Sequence, residues 1–333
     1  MSSSSTSSSE AAVWSRALPL RAGLPLLLAA GMASAAGAWA RVEPPVAPGA
    51  TLEEVIIGAQ WRRSARIPES DVLLVGDSSG LFDVDAWYLS ELLGVRVQGL
   101  ATIGVAGPRS FLRLLERYAD RFEARPIVVL MLHPMTVSMS GDDENFKYFE
   151  ALGVDPTIRG SFLEAGRDKL YSELFLRWVD LPLRSDAGFY YGSATDLRFA
   201  LDTWNGTLEE PSARMSDAVE REVRDLRYGL SPAYRSRLRE FAEGLRKRGF
   251  ETVRLVLTPV PESFVGPPTE MTRQRLSAAL RESLRLEREA ILPLPSTLPT
   301  DHFSTPTHLR PSARPAYTRR LAEALGARNA RHR

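Results

Sequence analysis

The sequence predicts an α/β protein built on a three-layer, doubly wound and mostly parallel sheet of five strands. Short β-branched runs alternate with longer helical patterns, and three of the runs are apolar almost throughout, as strands covered on both faces must be. The predicted strands are residues 71–76, 95–100, 126–132, 252–260 and 291–294. The predicted helices are residues 81–93, 108–122, 231–248, 271–289 and 311–325. In such a fold the ligand site is expected at the carboxyl ends of the strands, where the strand order reverses.

Each element has a local justification in the sequence. In the third helical pattern Leu238, Phe241 and Leu245 recur at three- and four-residue spacing, which gives one apolar stripe among charged residues. More residues separate the third and fourth strands than a crossover needs, so residues 148–228 are predicted to form a mostly helical insertion or lid. The α/β domain as a whole is predicted over residues 51–328.

The N-terminal region is predicted to lie outside this domain. Residues 1–21 begin with a Ser/Thr tract and are expected to be disordered on the cytoplasmic side. Residues 22–40 carry no charge and follow Arg16 and Arg21, which fits a transmembrane anchor with its N-terminus inside. A signal peptide cleaved after Ala40 is an alternative, and a buried apolar helix is another. Residues 41–50 contain three prolines and are expected to be a semi-rigid linker.

Composition limits the chemistry. The 333 residues include 42 Lys and Arg against 41 Asp and Glu, so the charge gives no argument for nucleic-acid binding. The chain has no cysteine, which excludes disulfides, thiolate nucleophiles and Cys-ligated metals. Covalent chemistry must therefore come from oxygen or nitrogen.

A candidate nucleophile stands at the end of the first predicted strand. The segment Gly76-Asp77-Ser78-Ser79-Gly80 precedes a predicted helix, so it exposes the Ser78 hydroxyl beside backbone N–H groups that can stabilise an oxyanion. The other interpretation of the same residues is a helix N-cap after a glycine turn, with Asp77 as the capping side chain.

A candidate base lies near the other end of the chain. His308 is in the loop Asp301-His302-Phe303-Ser304-Thr305-Pro306-Thr307-His308-Leu309, before the last predicted helix. Both this loop and Ser78 are predicted at the same edge of the sheet, so a nucleophile–base pair is expected there.

These two segments resemble the SGNH/GDSL hydrolase superfamily. The closer similarity is to its membrane-tethered branch, which includes polysaccharide O-acetylation proteins of the alginate O-acetyltransferase type. The resemblance covers residues 71–135 and 251–325, and it implies the flavodoxin-like SGNH fold. It also implies that Ser78 is the nucleophile and that Gly104 or Gly107 donates to the oxyanion hole together with Ser78. The family's Gly-x-Asn-Asp block is absent, because this chain reads Met131-Leu132-His133-Pro134.

The last block also departs from the family pattern. Asp-x-x-His is usual, but Thr305 stands three residues before His308, and a threonine can orient an imidazole without stabilising its charge. Three interpretations stay open: a triad in which Asp301 folds back to His308, a Ser78–His308 dyad, and a degenerate site.

Other polar residues are accessory candidates. His133 either lines the site as a donor or ends the third strand, and Arg109 either meets an anionic substrate group or is solvated. Ser79 is a further accessory candidate beside the nucleophile. No metal or other cofactor is expected, since no Glu/His pair occurs at helical spacing.

The expected function is acyl transfer to, or ester hydrolysis of, O-acetyl groups on a cell-surface carbohydrate. The domain is expected outside the cytoplasm, tethered to the membrane, or secreted after cleavage at Ala40. A multi-spanning O-acyltransferase is the partner that family analogy suggests. The competing hypothesis is a catalytically degenerate, tethered glycan-binding or assembly protein of the same fold.

Overall fold

The computed structural model describes residues 52–138, 150, 229–263 and 270–329. The predicted tail, apolar segment and linker lie outside the described residues. So does the predicted insertion, apart from Glu150.

Four of the predicted apolar runs form one parallel sheet. Its strands are β1 (Val72–Gly76), β2 (Val97–Gly99), β3 (Ile127–Leu132) and β4 (Val253–Leu257), in the order β2-β1-β3-β4. Leu74 of β1 pairs with Gly99 on one side and with Val129 on the other. The predicted α/β class and parallel sheet are confirmed.

Helices cover both faces of this sheet. The helices are α1 (Leu52–Ser64), α2 (Ser79–Phe82), α3 (Ala86–Leu93), α4 (Gly107–Ala119), α5 (Pro134–Ser138), α6 (Pro232–Lys247), α7 (Glu270–Leu284) and α8 (Arg314–Asn329). Because neighbouring strand residues point to opposite faces, Leu73 and Val75 pack with α4, α6 and α7. Val72 and Leu74 pack with α3 and α8 in a second core on the other face.

The sheet has four strands, whereas the sequence predicts five. In the predicted fifth strand Ile291 forms a single parallel bridge with Leu255, and the Leu292 N–H donates to the Leu255 carbonyl at 2.9 Å. Pro293 has no N–H, and the Leu294 N–H turns back to the Leu292 carbonyl. The ladder therefore ends after one bridge.

Short extended segments lie beyond the end of β4. β5 (Val260–Pro261) pairs in parallel with β6 (Thr297–Leu298), and β7 (Phe303–Thr305) pairs antiparallel with β8 (His308–Leu309). The β7–β8 hairpin contains His308, which the sequence analysis predicts in a loop.

Several helices differ from the sequence prediction, and the short α5 is not predicted at all. The predicted helix at residues 81–93 is divided into α2 and α3, because Asp85 accepts hydrogen bonds from the Trp87 and Tyr88 N–H groups and starts a new helix. Helix α1 is not among the predicted helices. Its buried side mixes Ile56 and Ile57 with Gln60, which weakens the amphipathic signal.

Candidate active site

The candidate site lies where the strand order reverses. The chain passes from β1 to β2 on one side and then to β3 on the other side of β1, so the loops after β1 and β3 diverge at the carboxyl edge. These two loops contain Ser78 and His133, respectively. Both residues therefore lie at the carboxyl edge of the sheet, where a ligand site is expected in this fold.

The turn after β1 requires glycine at its first position. Gly76 has φ +127°, and a Cβ at this residue would collide with the Met131 carbonyl oxygen of the neighbouring strand. The same carbonyl accepts a hydrogen bond from the Asp77 N–H at 3.1 Å. The close approach of β1 and β3 thus fixes the backbone that leads into Ser78.

Asp77 and Ser79 hold the two loops together. The buried Asp77 carboxylate accepts hydrogen bonds from the His133 N–H at 2.6 Å and the Ser79 N–H at 3.0 Å, and also from the hydroxyls of Ser79 and Thr136. Burial raises the pKa of Asp77, and these hydrogen bonds oppose the change. Because its oxygens are occupied in this way, Asp77 positions the loop.

Ser78 presents an unengaged hydroxyl. It is partly exposed and occupies the N-cap position of α2, yet its side chain makes no capping hydrogen bond. No described residue accepts a hydrogen bond from its N–H, and its hydroxyl is bonded to neither His308 nor His133. The helix behind it is one turn long, so its dipole is much weaker than that of the predicted long helix.

His308 packs against the same short helix. Its ring meets the ring of Phe82 edge-on with centroids 4.9 Å apart, and Phe82 follows Ser78 by four residues, a helical rise of about 6 Å. Burial lowers the pKa of His308 to about 3, and the positive charge of Arg314 acts in the same direction. The imidazole is therefore neutral at pH 7, the protonation state that a general base needs.

The carboxylate behind His308 is Asp83, at the end of α2. Asp83 is 1% exposed, and its Oδ1 lies 3.9 Å from His308 Nδ1 and accepts the Leu309 N–H at 2.8 Å. Burial raises the pKa of Asp83 well above its usual value, while the Leu309 hydrogen bond and Arg314 oppose the change. Since His308 is neutral, the 3.9 Å contact is not an ion pair; Nδ1 is the ring nitrogen on the side of the acid, and it forms no hydrogen bond with a described residue.

The residues predicted to orient His308 form no hydrogen bond or ion pair with its ring, although Thr305 pairs with His308 across the β7–β8 hairpin. Asp301 is exposed on a one-turn 3-10 helix (Thr300–His302), and it forms no ion pair with His308. The Thr305 hydroxyl lies 3.3 Å from the Thr307 hydroxyl. Asp83 takes the place proposed for Asp301. The only sequence signal for it is a pair of aspartates, Asp83 and Asp85, that interrupts a helical pattern.

One of the two predicted oxyanion glycines has an available N–H. The Gly107 N–H donates to the Gly104 carbonyl in a 3-10 turn, whereas no described residue accepts from the Gly104 N–H. A Cβ on Gly104 would lie 2.7 Å from the Thr136 hydroxyl, and Thr136 bonds to Asp77. Gly104 is thus linked to the Ser78 turn through two contacts.

Arg109 faces away from these groups. Its guanidinium pairs with Glu240 at 2.9 Å and lies 3.8 Å from Glu150 on the surface of α4 and α6. Among the described residues, no cluster of carboxylates and imidazoles is suited to hold a metal ion.

The ends of the undescribed stretch are close to this site. The Ser231 N–H, just before α6, donates to the Val137 carbonyl of α5 at 3.1 Å. The chain therefore leaves the described part at residue 138 and returns to it at residue 229 beside the loop that carries His133.

Comparison with protein-family models, with curated proteins and with solved structures gives no match for this chain. What the site can do must follow from its own residues and geometry.

Proposed function

We propose that this chain catalyses acyl transfer or ester hydrolysis through a Ser78 nucleophile and a His308 base, as an SGNH-like enzyme acting on O-acetyl groups of a cell-surface carbohydrate. One observation carries the proposal. The buried Asp83 carboxylate lies 3.9 Å from His308 Nδ1, directly after the one-turn helix that follows Ser78. Serine, imidazole and carboxylate are the three groups of nucleophilic acyl transfer.

The reaction follows from the ring orientation. Because Nδ1 faces Asp83, Nε2 is the nitrogen that accepts the Ser78 proton as the serine oxygen attacks the ester carbonyl. The N–H groups of Ser78 and Gly104 are available to hold the oxyanion. The alcohol leaves with the proton from His308, and water or a sugar hydroxyl then discharges the acyl-enzyme.

The low basicity of His308 fits a base that works only with substrate present. Burial is the main cause of its lowered pKa of about 3. A negative charge developing on the oxyanion favours the imidazolium and raises its affinity for the serine proton.

The topology supports the SGNH resemblance. The order β2-β1-β3-β4, with Ile291 bridging to the outer side of β4, is the flavodoxin-like order reduced at its last strand. In this arrangement the segments that carry Ser78 and His308 both reach the carboxyl edge.

A non-catalytic, glycan-binding or assembly role is the second candidate. The observation that favours it is the Ser78 hydroxyl, which is hydrogen-bonded to neither buried histidine. A scaffold that retained the fold after losing catalysis would have the same feature.

The proposal places the domain outside the cytoplasm, with residues 22–40 as an anchor or a cleaved signal, and with a multi-spanning O-acyltransferase as the acyl source. No helix in the described part of the chain is long and apolar enough to span a bilayer. The anchor therefore depends on the sequence of residues 22–40.

A Ser78→Ala variant of the full chain tests the enzyme. We expect turnover of p-nitrophenyl acetate and acetylation of the surface glycan to fall by about 10⁴-fold or more, because the acyl-enzyme cannot form. Ser90→Ala is the matched control: Ser90 lies on α3, where its hydroxyl donates to the Val95 carbonyl, and this variant should retain activity. Unchanged turnover in Ser78→Ala would leave only the non-catalytic candidate.

A further inference from the structure

His133 is a buried imidazole in the loop after β3, at the point where the strand order reverses. It is 3% exposed, and its backbone N–H donates to Asp77 Oδ2 at 2.6 Å. Asp77 in turn directly precedes Ser78. The backbone of His133 is therefore hydrogen-bonded directly to the residue that precedes the candidate nucleophile.

One hydrogen bond determines the tautomer of this ring. The Met135 N–H, in the first turn of α5, donates to His133 Nδ1 at 3.1 Å. A nitrogen that accepts a hydrogen bond cannot carry the proton, so in the neutral ring the proton is on Nε2. His133 is then a donor through Nε2, and it has no lone pair left with which to act as a base.

This donor has no acceptor among the described residues. Nε2 is fully buried and makes no hydrogen bond there, although buried polar groups are almost always paired. An unpaired donor at the carboxyl edge of a parallel sheet is suited to an oxygen atom of a ligand.

The charged surroundings favour a neutral ring that attracts negative charge. Burial lowers the pKa of His133 to about 3, with His308 and Arg273 acting in the same direction. The Arg273 guanidinium is itself buried, donating to the Leu257, Thr258 and Ser296 carbonyls. The nearby Asp77 carboxylate is occupied by its own hydrogen bonds.

We infer that His133 Nε2–H is the side-chain donor that binds the oxyanion formed when Ser78 attacks an ester. This inference rests on the proposed function. In this step the bond between Ser78 Oγ and the carbonyl carbon forms, the carbonyl π pair moves onto oxygen, and the serine proton passes to His308. His133 keeps its proton and only donates a hydrogen bond, so it acts as an electrophile and not as a base.

Two substitutions separate its two nitrogens. His133→Asn keeps an acceptor where Nδ1 stands but has no donor at Nε2, whereas His133→Gln places an amide nitrogen near the Nε2 position. With p-nitrophenyl acetate we expect His133→Asn to lower kcat by about 100- to 1,000-fold with little change in KM. His133→Gln should recover at least about ten-fold of that loss. Equal losses in both variants, or wild-type kcat in His133→Asn, would overturn the assignment.

The tautomer is measured in the wild-type chain by ¹⁵N NMR of histidine-labelled protein. We expect His133 to be protonated on Nε2, unprotonated on Nδ1, and not to titrate between pH 8 and pH 5. A proton on Nδ1 would overturn the inference whatever the activity of the variants.

The two proposals fail in different ways. If Ser78→Ala abolishes turnover and His133→Asn does not change it, only the role of His133 is wrong. If Ser78→Ala leaves turnover unchanged, the proposed acyl-enzyme mechanism is wrong, and so is the role assigned to His133.

Discussion

The two ends of the sheet differ in whether their polar groups have hydrogen-bond partners. At the amino end a groove of about 460 Å³ lies between Asp71 and Arg96, which precede β1 and β2, and α3 with its 71% exposed Trp87. Part of its lining is already paired: the Arg96 N–H donates to Asp71 Oδ2 at 2.9 Å, and the Ser90 hydroxyl donates to the Val95 carbonyl. At the carboxyl end, Ser78 and His133 have donors that no described residue accepts.

This difference shows why open volume is a poor guide to chemistry in this fold. A polar group that already has its hydrogen bond gains little by binding a ligand, because the new contact replaces an existing one. A buried donor without a partner gains a full hydrogen bond when a ligand oxygen arrives. The carboxyl end is therefore the better candidate for catalysis, although a groove is present at the other end.

The largest effect expected in this comparison concerns the acid behind His308. Asp83→Asn should lower kcat for p-nitrophenyl acetate by about 100- to 10,000-fold, because an asparagine amide cannot take on the negative charge that stabilises the imidazolium. Asp301→Asn removes the exposed carboxylate that the sequence predicts for this role, and it should leave kcat unchanged. Steady-state kinetics of the two variants decide between the acids. A loss in Asp301→Asn alone would restore the sequence-based triad.

A matched pair of glycines compares the rigidity of the two ends. Gly76→Ala should lower the free energy of unfolding by more than about 3 kcal/mol, because φ +127° is strained for alanine and its Cβ would collide with Met131. Gly94, which ends α3 at φ +65°, has no atom within 4 Å of a built Cβ, so Gly94→Ala should cost about 1–2 kcal/mol. Urea unfolding measures both values. Similar losses would mean that the Ser78 turn is no more constrained than the amino end.

The sequence alone predicts the sheet and the edge at which the site lies. Apolar runs as continuous as residues 127–132 have few alternatives to a strand covered on both faces, and a glycine-serine turn after such a strand points to its carboxyl end. These predictions depend on local patterns, which a single sequence contains.

The partner of His308 could not be predicted, because it depends on packing between distant segments. Asp83 and Leu309 are joined by a hydrogen bond across most of the chain, and nothing in the spacing of either segment specifies it. The tautomer of His133 likewise depends on the helix that starts at Pro134, because the Met135 N–H in its first turn donates to His133 Nδ1. Local pattern thus positions the site, while the hydrogen bonds that define its chemistry come from tertiary structure.

The smallest expected effect is a pH dependence of stability that belongs to the carboxyl end. Burial lowers the pKa of His308 from 6.5 to about 3. Between these values the unfolded chain therefore binds a proton that the folded chain does not, and the free energy of unfolding falls as the pH is lowered, by at most about 1.4 kcal/mol per pH unit. Asp77 and Asp83, whose pKa values are raised, act in the opposite direction above pH 3.8, because the folded chain retains protons that the unfolded chain has released.

His308→Gln removes only the histidine contribution, so its stability should fall less steeply than that of the wild type between pH 6.5 and pH 4 in urea titrations. Ser90→Ala, which removes no titratable group, should keep the wild-type slope. Equal slopes in His308→Gln and wild type would mean that His308 is solvated, and the contrast between the two ends of the sheet would lose its electrostatic basis.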